Sequence, residues 1–174
     1  QIDKLPVGKL LIPGAGEGRD AVYAATLGWQ VTAFDLSTAG REKALQLASE
    51  FGVTIRYDIT DAADFTAQPD IYNAVGLSYF HLPPAIRSAL HRNIAASLLP
   101  GGAIILEAFN PKQLLNNSGG PKDSAMLPTP TILADDFQQL DIKQNEELEI
   151  TLNEGHFHQG KADVVRFFAT RNIK

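Results

Sequence analysis

The residues best suited to chemistry lie in one glycine-rich stretch. Leu10-Leu11-Ile12-Pro13-Gly14-Ala15-Gly16-Glu17-Gly18-Arg19-Asp20 passes from an apolar run into a helical pattern. Glycine allows a tight turn and lets a ligand come close to the main chain. The helix that follows directs its free N–H groups and the positive end of its dipole at whatever occupies that turn. Asp35 closes the next apolar run, where a carboxylate can accept bonds from both hydroxyls of a ribose. Its competing role is to cap a helix, because Ser37 and Thr38 follow. After the third apolar run comes Asp58-Ile59-Thr60-Asp61-Ala62-Ala63-Asp64-Phe65. An acidic side chain there can accept from an adenine amino group, and the next N–H can reach a ring nitrogen. Asp61 and Ala62 are assigned to this role, with Asp58 as the alternative and Asp64 as a solvated acid.

Two ligands compete for such a loop. A dinucleotide site calls for G-x-G-x-x-G/A, and the sixth position here is Arg19, which is bulky and charged. The spacing present is G-x-G-x-G, which suits S-adenosylmethionine (SAM). The glycine pattern alone is weak evidence, and Asp35 serves either ligand, so the ordered set carries the reading rather than any one member.

An acceptor pocket belongs at the carboxyl ends of the strands, beside the loop. Tyr79, Phe80 and His81 follow the fourth apolar run there. An aromatic face near a sulfonium gives a cation–π attraction of roughly 0.5–2 kcal/mol. Phe80 is equally suited to core packing, and His81, just before Leu82-Pro83-Pro84, is either a base or a structural histidine at a helix start. Glu107 and Asn110 end the fifth run, the first as a pocket carboxylate or an ion-paired one, the second as a contact or a turn residue. His156 and His158 share one face at i, i+2 spacing, yet no third ligand stands out, so turn histidines are preferred to a metal site. Glu149 is a further candidate for lining the acceptor site. Residues 117–123 read either as a lid, hinged at Gly119 and Gly120 with Lys122 reading an anion, or as a solvated turn.

The elements that must position these residues alternate. Strands are expected over 8–13, 31–34, 53–57, 72–77 and 103–109, and helices over 19–28, 39–51 and 84–98. Such alternation implies an α/β fold, a Rossmann-like, doubly wound, mostly parallel sheet with helices on both faces. Residues 110–131 read as a long loop and 132–140 as a short helix. Residues 141–153 and 161–171 read as a terminal hairpin that adds an antiparallel strand to a seven-stranded sheet. One domain over 1–174 accounts for the whole pattern. Net charge is −5 with both signs interspersed, which argues against nucleic acid as a partner. The absence of cysteine rules out a disulfide or thiolate zinc site and is compatible with a reducing cytoplasm. No apolar run is long enough to span a bilayer.

The ordered set Gly14-Ala15-Gly16-Glu17-Gly18, Asp35, Asp61-Ala62 and Leu99-Pro100-Gly101-Gly102 resembles the motifs of class I SAM-dependent methyltransferases over essentially the whole chain. Ile12-Pro13-Gly14-Ala15-Gly16-Glu17-Gly18-Arg19-Asp20 resembles the thiopurine S-methyltransferase branch, and the compact size resembles tellurite-resistance methyltransferases. Small bacterial stand-alone methyltransferases share segments like Ser78-Tyr79-Phe80-His81-Leu82-Pro83, Gly119-Gly120-Pro121-Lys122-Asp123 and Glu154-Gly155-x-x-His158-x-Gly160. The likeness implies SAM as cofactor and S-adenosyl-L-homocysteine as its product. It implies cofactor contacts from Gly14, Ala15, Gly16, Gly18, Asp35, Leu36, Asp61, Ala62 and Ser78, and a catalytic set of Tyr79, His81 and His158. The acceptor is expected to be a small molecule (a thiol, a metalloid oxyanion or a small acid), and the protein a monomer or weak homodimer in the cytoplasm. Two positions depart from the pattern: Ile12 stands where many members have an acid, and Asn73 where many have Asp. Relatives of this size carry a segment before the first strand that closes over SAM. The chain starts at Gln1 and is expected to lack it. A non-catalytic SAM-binding domain is the alternative reading.

Overall fold

A computed structural model describes residues 1–153 and 159–173. Short apolar runs become strands where both of their faces are buried. β1 (Lys9–Pro13), β2 (Gln30–Asp35), β3 (Arg56–Ile59) and β4 (Tyr72–Ser78) are parallel to one another and to β5 (Leu98–Phe109). β6 (Asp141–Asn153) and β7 (Gln159–Thr170) form the antiparallel end of the sheet, whose order is β3-β2-β1-β4-β5-β7-β6. The expected seven-stranded Rossmann-like sheet is therefore present.

Side chains alternate across the sheet, so each strand feeds two cores. Leu10, Ile12, Val31 and Ala33 pack with Ala21 and Val22 of α1 (Arg19–Thr26) and with Ala44 and Ala48 of α2 (Thr38–Glu50). Leu11, Phe34, Val75 and Leu77 face the other way. They pack with Leu90 and Ile94 of α3 (Pro84–Ser97) and Leu133 of α4 (Pro130–Asp136). Each large apolar side chain removed from water in this way contributes roughly 1.5–3 kcal/mol before its entropy cost.

Four expected boundaries shift for local reasons. β3 starts at Arg56 rather than at residue 53, because the Val53 N–H is spent on the Ala48 carbonyl at the end of α2, after Gly52 at φ 66°. Ile59 then pairs with Asp35. β5 starts at Leu98 rather than at residue 103, since Leu98 pairs with Tyr72 before the Leu99–Gly102 turn. α4 begins at Pro130, with Thr129 Oγ1 accepting the Ile132 N–H, and ends four residues sooner than expected. The expected single loop 110–131 contains two 3-10 turns, Pro111–Leu115 and Ser124–Met126.

That segment is tied to the start of β7. The Asn110 amide donates to the Val164 carbonyl at 3.0 Å. Buried Gln113 donates to Ser118 Oγ and the Gly119 carbonyl and accepts from the Asp163 N–H. Asn116 reaches the Asp163 carboxylate at 2.8 Å. On the far side of the sheet, buried Asp136 of α4 accepts from Arg87 Nε at 3.0 Å and meets His91 Nδ1 at 2.8 Å, so α3 and α4 are joined by charge as well as by packing.

Candidate active site

The chain reverses its direction of strand addition between β1 and β4, which is where a doubly wound sheet opens a crevice at its carboxyl edge. The glycine turn fills one wall. Gly14, Gly16 and Gly18 all adopt left-handed φ values, of 63°, 51° and 80°. Two of them are required by contact as well as by conformation. A Cβ on Gly14 would lie 2.1 Å from the Phe80 ring, and one on Gly18 would lie 2.4 Å from Ala44 Cβ. At Gly16 nothing stands within 4 Å of that position, so the turn presents bare backbone outward. Gly18 caps α1 with no side-chain bond to its first N–H groups, which leaves the helix end facing the crevice.

Asp35, the residue expected to hold a ribose, sits at the tip of β2. Its Oδ2 accepts the Gly16 N–H at 3.0 Å and its Oδ1 the Ser37 N–H at 3.0 Å. Ser37 Oγ, not Asp35, caps α2. An ionised carboxylate has about four acceptor positions, so these two bonds orient Asp35 and leave capacity for sugar hydroxyls. Leu36 beside it is 63% exposed, an apolar surface left in water next to the turn. Thr60 N–H donates to the Asp35 carbonyl and brings the 60–64 turn alongside. Asp61 Oδ1 accepts the Ala63 N–H at 2.8 Å, and Ala62 packs on the core beneath. Asp58, the alternative, lies within β3 opposite Phe34 and pairs with Arg56 at 3.0 Å.

A cavity of about 480 Å³ runs along the turn, bordered by Pro13 to Glu17 on one side and by Ser78, Tyr79 and Glu107 on the other. A neighbouring cavity of about 250 Å³, lined by Ile2, Ile12, Leu77 and Ile105, shares Asp20, Ser78 and Glu107 with it. Glu17, Asp20 and Glu107 line the crevice, with Arg19 among them. Glu17 is held by Lys43, below the usual carboxylate range through that hydrogen bond and charge. Acids at a helix N-terminus disfavour a pyrophosphate and favour a cationic ligand, so the residues present fit a sulfonium nucleoside.

Tyr79 takes a left-handed backbone, φ 49°, right after β4. Its N–H extends the sheet to the Glu107 carbonyl, and its hydroxyl donates to Glu107 Oε1 at 2.6 Å. Arg166 of β7, directly across from Glu107, donates Nε to Oε2 at 2.5 Å. His81 Nε2 accepts the Phe109 N–H at 3.0 Å, and its ring stacks on Phe109. Burial pushes His81 below its ordinary value, offset in part by backbone contacts to Tyr79 and Phe109. Because Nε2 accepts an N–H it carries no proton, which makes the ring neutral and commits that nitrogen to the main chain. Phe80 packs against Gly14 and the core. Glu149 pairs with Lys161 on the exposed surface of the β6–β7 hairpin. Lys122 is exposed. His156 and His158 lie outside the described residues, so the catalytic expectation for His158 is not placed. Among the described residues no group of three or more His, Cys, Asp or Glu side chains is placed to hold a metal, and no helix is long and apolar enough to cross a membrane.

Sequence reasoning passed over Asp20, which lies on both cavities, and Arg166, which pins Glu107. The signal for Asp20 was its place one residue into α1 beside the turn. Arg166 gave none, since its partner is 59 residues away.

Residues 11–102, more than half of the chain, match the family model of a methyltransferase domain. Solved structures are similar in fold. A SAM-dependent methyltransferase from Methanosarcina mazei superposes with TM-score 0.72 at 17% identity, over 95% of this chain and 93% of that one. TehB from Haemophilus influenzae gives 0.77 at 16%, over 94% of this chain and 57% of that one. NodS from Bradyrhizobium japonicum, in complex with S-adenosyl-L-homocysteine, gives 0.69 at 14%, over 95% and 78%. The comparison with curated proteins returned no match. With its glycine turn, its strand order and this match together, the chain belongs to the methyltransferase-domain family.

Proposed function

We propose that the protein methylates a small-molecule acceptor held in the cavity between the glycine turn and Tyr79–Glu107. The observation that carries this is the open backbone face of Gly16 beside a carboxylate-lined cavity of about 480 Å³. In this reading Gly14, Ala15, Gly16 and Gly18 lie against the methionine part, with Ser78 opposite. Asp35 and Leu36 hold the ribose, and Asp61 and Ala62 hold the adenine. SAM, when bound, supplies a methyl group already activated on a sulfonium.

The chain's own task is then alignment and exclusion of water. Tyr79 and Glu107 border the place where the acceptor sits, and Arg166 fixes the Glu107 carboxylate from behind. Neutral His81, tied to Phe109, holds the turn after β4 in shape. Glu107 is engaged through both oxygens and His81 through Nε2, so neither is set up as a strong base. An acceptor that needs no proton removed at the site, such as a thiolate, a metalloid oxyanion or an ionised small acid, is compatible with the lack of a base, although the carboxylates of Glu17, Asp20 and Glu107 act against its negative charge. The Pro13–Asp20 motif and the fold likeness to TehB support a place near the tellurite-resistance and thiopurine-like branch. A cytoplasmic monomer or weak homodimer goes with this reading, and the lack of cysteine is compatible with a reducing cytoplasm.

The test is calorimetry with SAM and S-adenosyl-L-homocysteine, followed by transfer of labelled methyl from SAM to a panel of thiols, metalloid oxyanions and small acids. Binding with transfer to one of these supports the proposal. Binding with no transfer to any of them supports a non-catalytic SAM-binding domain, and no binding at all overturns both.

A further inference from the structure

The peptide groups around Gly16 are gripped from behind on both sides. Its N–H donates to Asp35 Oδ2 at 3.0 Å, and its carbonyl accepts from the Tyr57 hydroxyl at 2.6 Å. Tyr57 belongs to β3, 41 residues further on, and is only 5% exposed. The main chain of Tyr57 is itself fixed, because its carbonyl accepts from Arg41 Nε of α2 at 3.1 Å. Next to Arg41, Gly40 lets α2 approach so closely that a Cβ there would lie 2.7 Å from the Gly16 carbonyl oxygen. On the opposite side Gly16 is bare. Burial, with the charge of Asp35 nearby, pushes the Tyr57 phenol up to about 12, so it remains a donor at any working pH.

Packing does not ask for a hydroxyl at this position. Phenylalanine would fill the same space among the apolar residues of that core. What the hydroxyl adds is a bond to the one carbonyl that sets the direction of the turn. Glycine populates left- and right-handed wells with similar ease, so Gly16 at φ 51° needs an outside hold to stay in one of them.

We propose that Tyr57 is a positioning residue for the cofactor: with Gly40 behind it, it holds the Gly16 peptide so that the open side of the turn is preset for a sulfonium nucleoside. The proposal rests on the reading of this turn as the SAM site. Apparent affinity is the intrinsic affinity reduced by the fraction of molecules whose loop is already competent. Removing the hydroxyl lowers that fraction.

The experiment measures S-adenosyl-L-homocysteine binding by calorimetry, and melting temperature without ligand, for the wild-type protein, Tyr57→Phe and Gly40→Ala. Tyr57→Phe is expected to bind about tenfold more weakly, which corresponds to a competent fraction of about one tenth. Gly40→Ala puts a Cβ 2.7 Å from the Gly16 carbonyl oxygen, which more than offsets its gain in helix propensity, so it is expected to melt earlier and to bind about tenfold more weakly. A Tyr57→Phe protein that melts earlier but binds as tightly as wild type overturns the proposal, because Tyr57 is then only structural. If Tyr57→Phe does not fold, unchanged affinity in Gly40→Ala overturns it. A wild-type protein that binds neither SAM nor S-adenosyl-L-homocysteine instead overturns the cofactor reading and this proposal with it.

Discussion

The two halves of the sheet hold their functional groups by different means. On the β1–β2–β3 side the main chain does the work: three left-handed glycines, a free helix end, and one carboxylate tying Gly16 to Ser37. On the β4–β5–β7 side the groups are side chains that hold one another. Tyr79, Glu107 and Arg166 form a chain across three strands, and Arg87, His91 and Asp136 form another between two helices. Main-chain sites have to fit the invariant part of a ligand, and short motifs encode them. Side-chain sites can change with a few substitutions while the backbone stays, which suits the half of the crevice where the proposed function puts the acceptor.

The sharpest way to break this contrast is to cut the buried charge cluster. Asp136→Ala leaves Arg87 buried and unpaired, which is expected to cost about 3–5 kcal/mol in urea unfolding, while affinity for S-adenosyl-L-homocysteine stays within about twofold, the site being in the other half. Acid probes the same cluster. Burial pushes His91 below its ordinary value near 6.5, against the pull of Asp136. For Asp136, burial alone raises the carboxyl, but the bonds from His91 and Arg87 outweigh it and hold the group below 3.8. Both groups have folded values under their unfolded ones, so both stabilise at higher pH and lose that contribution on acidification. Stability should begin to fall as pH drops below about 6.5 and fall again below about 3.8, and denaturation midpoints across this range check it. A stability that rises on going from pH 7 to 5 would contradict the assignment.

Gly14→Ala comes next, because it meets both a left-handed φ and the Phe80 ring. It is expected to cost about 2–4 kcal/mol and to weaken cofactor binding together with stability, a linkage that the Asp136 variant lacks. Asp35→Ala should weaken S-adenosyl-L-homocysteine binding by about 100-fold, or ~2.7 kcal/mol, with the domain still folded by circular dichroism. An unchanged dissociation constant would remove Asp35 from the ribose. The smallest effect is expected at Glu107→Gln, where turnover with the best acceptor should fall by about tenfold, or ~1.4 kcal/mol, at unchanged cofactor affinity. A loss of cofactor affinity there would show that the two halves are not separable.

Much of the β1–β2–β3 half was legible in the residues. The Gly14–Gly18 spacing, the Asp35 strand end and the Gly28 stop each depend on backbone rules that act over a few residues. Local rules failed where a distant partner decided the outcome. β3 starts three residues later because α2 claimed the Val53 N–H, and pairing of Ile59 with Asp35 carries its end two residues further, so that Asp58 lies in the strand and Asp61 beyond its end. Residues 110–131 read as a long loop, with 117–123 as either a lid or a solvated turn, yet Asn110, Gln113, Asn116 and Ser118 bind the start of β7. His81 had the right place for a base, but only the approach of Phe109 revealed that its Nε2 is in use.

By itself the sequence determined which elements form, their α/β order, and the kind of ligand the glycine turn admits, because periodicity and glycine conformation are properties of short stretches. The tertiary structure alone decided which groups meet at the acceptor side and how the turn is held. Tyr57 reaches Gly16 across 41 residues and Arg166 reaches Glu107 across 59, and no local rule carries contacts that exist only once the sheet has assembled.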